Sequence, residues 1–498
     1  MIAILRLKRK DLVLRGSIWM TMIALFSAQM EAKPHPGNGL THSFSVATTA
    51  PTDTVTTALQ PLPFSTVLQW VLQNHPVLKQ ANNYTPIAKA QLLIARGAFD
   101  PSVSLYSTQK NESGKLYRNQ NLDLAIPNYF GGGISIDNPL TTSGSTTVGS
   151  LGISAELPLL KGLITDYRRT ALGKAKINVE MSLAERDQWI NDLIRDVFTE
   201  YAQWLLAYES AKQIQGVLRL ATDRQKGLRT LFYSGAGTSV DTMETFVQWQ
   251  QYKAKYDLSI WKQEKQRLMV SMYLWDNDGN PLEPLPSVYP TADGLSWIDS
   301  MVSEANSYTS NPNNETMLQP ALRMSVLKVA SKQLEFNLAK NNMLPSLNLQ
   351  YGYSQPNAAW RYTPNSATQY TGFGLGFQST LFLKQQRGQY KEMQLGLINA
   401  QLEVDNKTRN YSVKSRALLQ EYAIQQGQFE QWTSIGKNQQ RLYDMEARRL
   451  EAGDVNFFVL NSREMRLLDL NLLALEYKLQ YQLSGINYLH YLGWLSRS

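Results

Sequence analysis

The sequence predicts an internally duplicated α+β chain, in which very long antiparallel helices alternate with pairs of short strands. Three observations carry this: where prolines fall, where apolar residues alternate with period two, and how the second half repeats the order of the first. Of 20 prolines, none lies between Leu159 and Asn280 and none between Asn365 and Ser498. A proline inside a helix costs about 3 kcal/mol, so these two runs, rich in Leu, Ala, Gln, Glu, Lys and Arg, read as long helices. A glycine-bearing turn breaks each run once, Ser234-Gly-Ala-Gly-Thr238 and Glu451-Ala-Gly-Asp454. Glycine supplies the left-handed conformation that ends a helix, and Thr238-Ser-Val-Asp241 then reads as a capping box. Taken as one helix, Thr165–Ser234 would be about 105 Å long. Coiled coils and helical barrels hold such rods.

The chain opens with Arg6, Lys8, Arg9, Lys10 and Arg15, followed by the apolar run Ile18–Phe26. That is the pattern of a secretory signal peptide, and it is too short for a membrane span of about 20 residues. Residues 1–32 are assigned to it, with cleavage between Ala28 and Lys33, and 33–63 to an N-terminal extension. Without the leader the net charge of +8 falls to about +5, so the basic balance is no nucleic-acid footprint and no nucleic-acid partner is expected. No second apolar run is long enough to cross a membrane as a helix.

A helix follows over about 77–99, with a kink or break expected at Pro86. Ser102–Leu105 and Leu151–Leu157 then alternate apolar and polar residues, as do Leu347–Tyr353 and Gly372–Phe377 later on. Such alternation predicts strands with one apolar face. In an exported chain with interleaved glycine and aromatic residues, that face packs on a core or meets lipid. Four strands cannot close a membrane barrel, for which about eight is the minimum; two copies would give eight and three would give twelve.

The halves correspond in order. Pro76-Val-Leu78 matches Pro320-Ala-Leu322, Asp100–Leu105 matches Leu344–Leu349, Leu151–Leu157 matches Leu375–Leu381, and Gly237 stands opposite Gly453. Each reads helix, strand, connection, strand, very long helix, glycine turn, shorter helix. Repeat 1 is assigned to 64–276, a linker or equatorial segment to 277–318, and repeat 2 to 319–498. The returns, about 239–276 and 456–493, are too short to run back along the full long helices. The short helices before the first strands complete the length by stacking end to end with them.

Catalytic chemistry has little material. There is no cysteine, which excludes disulfides, thiolate metal sites, cysteine nucleophiles and a cysteine-linked lipid anchor. The four histidines, His35, His42, His75 and His490, are dispersed, and no phosphate-binding glycine loop is present. No enzyme, metal or cofactor is expected.

Over about 64–493 this arrangement resembles the TolC family of outer-membrane efflux channels. The likeness rests on the duplicated proline-bounded helix and strand, the corner Leu157-Pro-Leu-Leu-Lys-Gly162, and the tip from Gly453 to Glu464. The resemblance implies a homotrimer, with four strands per protomer in one twelve-stranded transmembrane β-barrel anchored in outer-membrane lipid. Long antiparallel helices form the periplasmic α-barrel, with an equatorial domain supplied by about 277–318 and the termini. It also implies a passive exit duct in tripartite efflux or type I secretion, opened by a periplasmic adaptor (membrane fusion) protein that links it to an inner-membrane pump. The rivals are the adaptor itself, which usually carries one hairpin flanked by small β-domains, and a coiled-coil structural protein of the envelope, which would lack the glycine–aromatic strands.

The resemblance places function at the helical tips. Gly235, Gly237, Thr238, Gly453 and Asp454 are the candidates for adaptor docking. Candidate gate residues are Asp241, Glu244, Phe457, Phe458, Arg463 and Glu464. Each has a plainer reading: Asp241 and Asp454 complement helix dipoles, Arg463 and Glu464 line a solvated face, and the phenylalanines pack between helices. The acidic ring often found on the family's last helix has no counterpart in Phe457–Ser462. Tyr351, Tyr353, Trp360, Tyr362, Tyr370 and Phe373, with Tyr106, Tyr117, Tyr129 and Phe130, suit interfacial girdles. The long connection 108–147, with Gly131-Gly-Gly133, either adds strands outside the membrane or caps the barrel.

Overall fold

Helix starts and stops in this computed structural model follow local chemistry. It describes residues 60–498 except 144–145, 293–296, 310–318, 357–369, 453, 455–456 and 498. The predicted leader and most of the N-terminal extension lie outside the described residues, as do Gly453, Trp360 and Tyr362. The described chain begins with β1 (Gln60–Pro63), α1 (Phe64–Asn74) and α2 (Pro76–Gly97). At the start of α2, His75 Nδ1 accepts from the Val77 amide at 3.2 Å. The helix runs through Pro86 without a break.

Strands β2 (Ser102–Glu112), β3 (Lys115–Pro127), β4 (Gly133–Ser143) and β5 (Thr146–Pro158) follow, then α3 (Tyr167–Tyr233) and α4 (Ser239–Ser271). Next come β6 (Val288–Thr291) and α5 (Trp297–Thr309). The second repeat supplies α6 (Pro320–Asn341), β7 (Ser346–Pro356), β8 (Tyr370–Gln378), α7 (Lys384–Glu451) and α8 (Phe457–Leu492). The 67 residues of α3 span about 100 Å. Asp166 caps its start, accepting from the Arg169 amide at 2.8 Å.

Helix α3 is the spine. Near its start it meets α2 through Arg186 to Asn82 at 2.9 Å, and α6 through Arg323 to Asp187 at 4.0 Å. Further along it meets α4 through Trp249 to Thr222 at 3.0 Å, and α8 through Arg224 to Glu464 at 2.8 Å. The short helix and the return helix therefore succeed one another along the rod, as the sum of lengths requires.

The large sheet corrects the strand count. Among the described residues six strands, not four, run in the order β2-β3-β4-β5-β7-β8, every neighbour antiparallel. The connection 108–147 is itself strand. Ser113 (φ 52°) and Gly114 (φ 78°) form a two-residue turn with both residues left-handed, the geometry that matches strand twist.

The hydrophobic core sits midway along the rod. Phe64, Val67 and Val71 of α1 pack with Leu193–Leu205 of α3, Ile298 and Val302 of α5, and Ile486–Leu492 of α8. Phe64 meets Phe198 edge-on at 5.2 Å and stacks on Trp297 at 6.2 Å. Here β1 pairs in parallel with β6. The buried Tyr201 hydroxyl lies 2.7 Å from the Leu62 carbonyl and 2.8 Å from that of Thr291, and accepts from the Thr291 amide at 3.0 Å. One phenol thus ties both strands to the spine. Among the described residues no helix is long and apolar enough to cross a membrane.

Candidate functional site at the helical tips

At the first tip the chain reverses on Gly235, whose φ of 78° few side chains tolerate. The Gly235 and Ala236 amides donate to the Phe232 and Leu231 carbonyls at 3.0 and 2.9 Å, closing the end of α3. Gly237 lies close against that end: a Cβ there would stand 3.1 Å from the Phe232 nitrogen. Thr238 then caps α4, accepting from the Asp241 amide at 3.1 Å while its hydroxyl donates to Asp241 Oδ2 at 2.6 Å. The Asp241 carboxylate therefore completes a local cap. Glu244, one turn on, lines a groove of about 760 Å³ between α4 and α8, together with Val247, Phe458 and Asp469.

The second tip ends α7 at Ala452, whose amide donates to the Arg448 carbonyl at 3.1 Å, and the Asp454 amide reaches the Arg449 carbonyl at 2.9 Å. Asp454 is exposed. The Phe457 side chain lies outside the described residues, whereas Phe458 is 63% exposed on the groove wall. Arg463 faces Glu446 of α7 at 3.9 Å. Glu464 is 3% exposed. It receives Arg224 in a two-pronged contact, Nη1 at 2.8 Å and Nη2 at 3.2 Å, and Nη1 also donates to Asn461 at 2.7 Å.

This ion pair joins all four helices of the tip. Arg224 comes from α3 and Glu464 with Asn461 from α8, while Tyr252 of α4 and Tyr443 of α7 flank them. Burial works against the Arg224 charge, but the hydrogen bond and charge of Glu464 hold its pKa above the ordinary value. Burial and then the Glu464 carboxylate push the Tyr252 phenol up. Burial raises Tyr443 as well, Glu464 adding to it and Arg224 opposing. Both phenols stay neutral across the physiological range, and Tyr252 accepts from Gln248 Nε2 at 3.3 Å.

Sequence reasoning singled out Glu464 but missed Arg224, Asn461 and Tyr252. A signal was present. Ile214, Val217, Ala221 and Leu228 step along one seam of α3 at intervals of three and four, and Arg224 occupies a seam position where an apolar residue is expected. Leu460 and Leu467 bracket Glu464 in the same way on α8. Two opposite charges in two apolar seams are a matched pair. Among the described residues no cluster of histidine or carboxylate side chains could hold a metal ion.

Residues 67–265 match the family described as outer membrane efflux protein. No curated protein matches the chain in sequence. Among solved structures, the outer-membrane channel OprN is similar with a TM-score of 0.62 at 12% identity, over 87% of this chain and 90% of that one. The Campylobacter jejuni CmeC outer membrane channel gives 0.60 at 14%, over 86% and 85%. The open Neisseria gonorrhoeae MtrE outer membrane channel gives 0.60 at 13%, over 86% and 88%. At such identities the likeness is one of fold.

Proposed function

We infer from the match over residues 67–265 and from the fold that the chain is a member of the outer membrane efflux protein family and a passive, trimeric exit duct opened from the periplasm. It is an outer-membrane protein with a long periplasmic extension. The reading is carried by one observation: a sheet with an exposed apolar face stands at the end of a rod about 100 Å long.

Strands β2 and β8 end the sheet, and backbone groups left unpaired in hydrocarbon cost several kcal/mol each. Head-to-tail pairing of β2 on one copy with β8 on the next removes both edges and closes a ring. Three copies form that ring, and their helices continue it as a periplasmic tunnel. Gly235, Gly237, Thr238, Gly453 and Asp454 form the tips on which a periplasmic adaptor protein docks, linking the duct to an inner-membrane pump. The closed mouth is held within each chain by Arg224–Glu464 and Arg463–Glu446, while Asp241, Glu244, Phe457 and Phe458 border the opening. Fractionated envelopes should yield a heat-modifiable, trimer-sized species in outer membranes. Recovery as a monomer in the soluble periplasm would overturn the reading.

A further inference from the structure

The hairpin β3–β4 is additional to the four strands that the channel resemblance implies, and its residues fall into register with those strands. Leu124 stands opposite Val103 of β2 and Ile136 of β4; Ile126 stands opposite Ile134. Ile136 and Ile134 stand in turn opposite Ile153 and Ala155 of β5, which pair with Tyr353 and Tyr351 of β7. Tyr351 pairs with Phe373 of β8, their rings 5.1 Å apart. One apolar face therefore runs unbroken across all six strands.

The opposite face is polar along the same rows. Asp123 faces Asp137, Ser135 faces Ser154 with their hydroxyls 2.7 Å apart, and Glu156 accepts from Asn348 at 2.7 Å. The apolar face is open at both ends of the sheet and in the hairpin: Val103 is 69% exposed, Ile134 44% and Phe373 81%. A sheet bathed in water on both sides would not carry such a face across its full width.

The hairpin is also built into the sheet's lower rim. Asn128 Oδ1 accepts from the Phe130 and Gly132 amides at 2.9 and 3.2 Å, forming the turn. Tyr129 of that turn stacks on Phe99 at 4.3 Å. A Cβ on Gly132 would lie 1.9 Å from the Glu156 carbonyl oxygen, and one on Gly131 would lie 2.2 Å from that of Gly162. Backbone thus meets backbone where β5 leads into α3.

We propose that the β3–β4 hairpin, Lys115–Ser143, lies within the outer membrane with its apolar face against lipid hydrocarbon, so that each chain gives six strands and the ring closes as an eighteen-stranded barrel. This rests on the trimeric channel reading. Barrel diameter grows roughly linearly with strand number, so the outer-membrane pore is about 1.5-fold wider than a twelve-stranded one. Cargo bulkier than a twelve-stranded barrel admits could pass that section.

The cysteine-free chain allows a direct test. Single substitutions Asp123→Cys, Leu124→Cys, Ile136→Cys and Asp137→Cys are labelled in intact outer membranes with a membrane-impermeant maleimide. Gln350→Cys and Leu349→Cys on β7 serve as the control pair. The polar-face positions should label about tenfold faster than their apolar-face neighbours in both hairpin and control. Equal labelling in the hairpin with alternation kept in the control overturns the proposal and leaves the channel reading standing. Loss of alternation in the control overturns both. Electron cryomicroscopy of the unsubstituted protein in lipid nanodiscs is independent of any substitution. Eighteen strands crossing the bilayer are expected, and twelve with the hairpins outside would refute the proposal.

Discussion

At the scale of single residues, the buried contact of Arg224 with Glu464 decides most about the tip. A two-pronged pair at 14% and 4% side-chain exposure has given up most of its water, and removing one partner leaves the other charge stranded. Glu464→Ala should therefore destabilise the helical tip by about 3–5 kcal/mol, while the double change Arg224→Met with Glu464→Leu should cost far less. Thermal denaturation of the purified protein reads the difference. Planar-bilayer recordings should show raised conductance in the single variant if the pair holds the mouth shut. A double variant as unstable as the single one would show that packing, not charge pairing, governs the site. What the sequence revealed here was uneven. Asp241 was legible as a capping residue because its partner Thr238 lies three positions away. Arg224 was not, because its partner lies on another helix and only an interrupted apolar seam announced it.

At the scale of elements, helices were far more legible than strands. The sequence placed the long helix at Thr165–Ser234 and the structure has Tyr167–Tyr233, since proline exclusion and glycine turns act locally and strongly. The two additional strands were only partly legible, as one of two readings of the connection 108–147, for equally local reasons. The upper part of β3, Tyr117-Arg-Asn-Gln-Asn121, has no apolar alternation, and β4 carries Pro139, which usually argues against an interior strand. The ladder between β4 and β5 skips Asn138 and Pro139, because proline has no amide to donate. Neighbouring pairs hold the register despite that gap. The anchor at the rim is then the weak point. Gly132→Ala would drive a methyl to 1.9 Å from the Glu156 carbonyl oxygen, forcing the turn off β5 at a cost of about 1–3 kcal/mol. Gly114→Ala, in the open turn at the other end, meets no atom within 4 Å and carries only the penalty of its left-handed backbone, about 1–2 kcal/mol. Yields of assembled, heat-modifiable protein in outer membranes should fall sharply for the first and modestly for the second. Equal yields would remove the rim contact as a determinant of assembly.

At the scale of the whole molecule, stability is divided between apolar packing and ion pairs spread along the helices, and acid separates the two. The core around Phe64, Phe198 and Ile486 is built of apolar and aromatic side chains with no carboxylate among them. Several pairs along the helices depend on carboxylates whose pKa values are depressed. Lys328 and then Lys407 hold Glu403, between α6 and α7, at about 2. Burial alone would raise Glu335, yet Lys174 and Lys332 bring it below its ordinary value, joining α3 to α6. Burial opposes Asp192 too, but His490 and Gln188 lower it, joining α3 to α8. A carboxylate with a depressed folded-state pKa stabilises fully above its unfolded value, about 4, and that contribution disappears as pH falls through the folded value. Glu200 runs the other way, since burial and Asp196 raise it, so its protonation on acidification relieves a strain and partly offsets the loss. Burial holds the His75 imidazole below its ordinary pKa, so the thermal midpoint of the solubilised protein should decline slightly below about pH 6.5, as the unfolded chain takes up that proton, and fall more between about pH 4.5 and 2. Glu403 is an exposed site whose pairs salt screens, so the fall should be shallower in 1 M salt, by about the surface share of the effect. Lys328→Met combined with Lys407→Met should remove the part that Glu403 contributes and leave the remainder. A midpoint unchanged down to pH 2 would mean that the apolar core alone sets the stability of the rod.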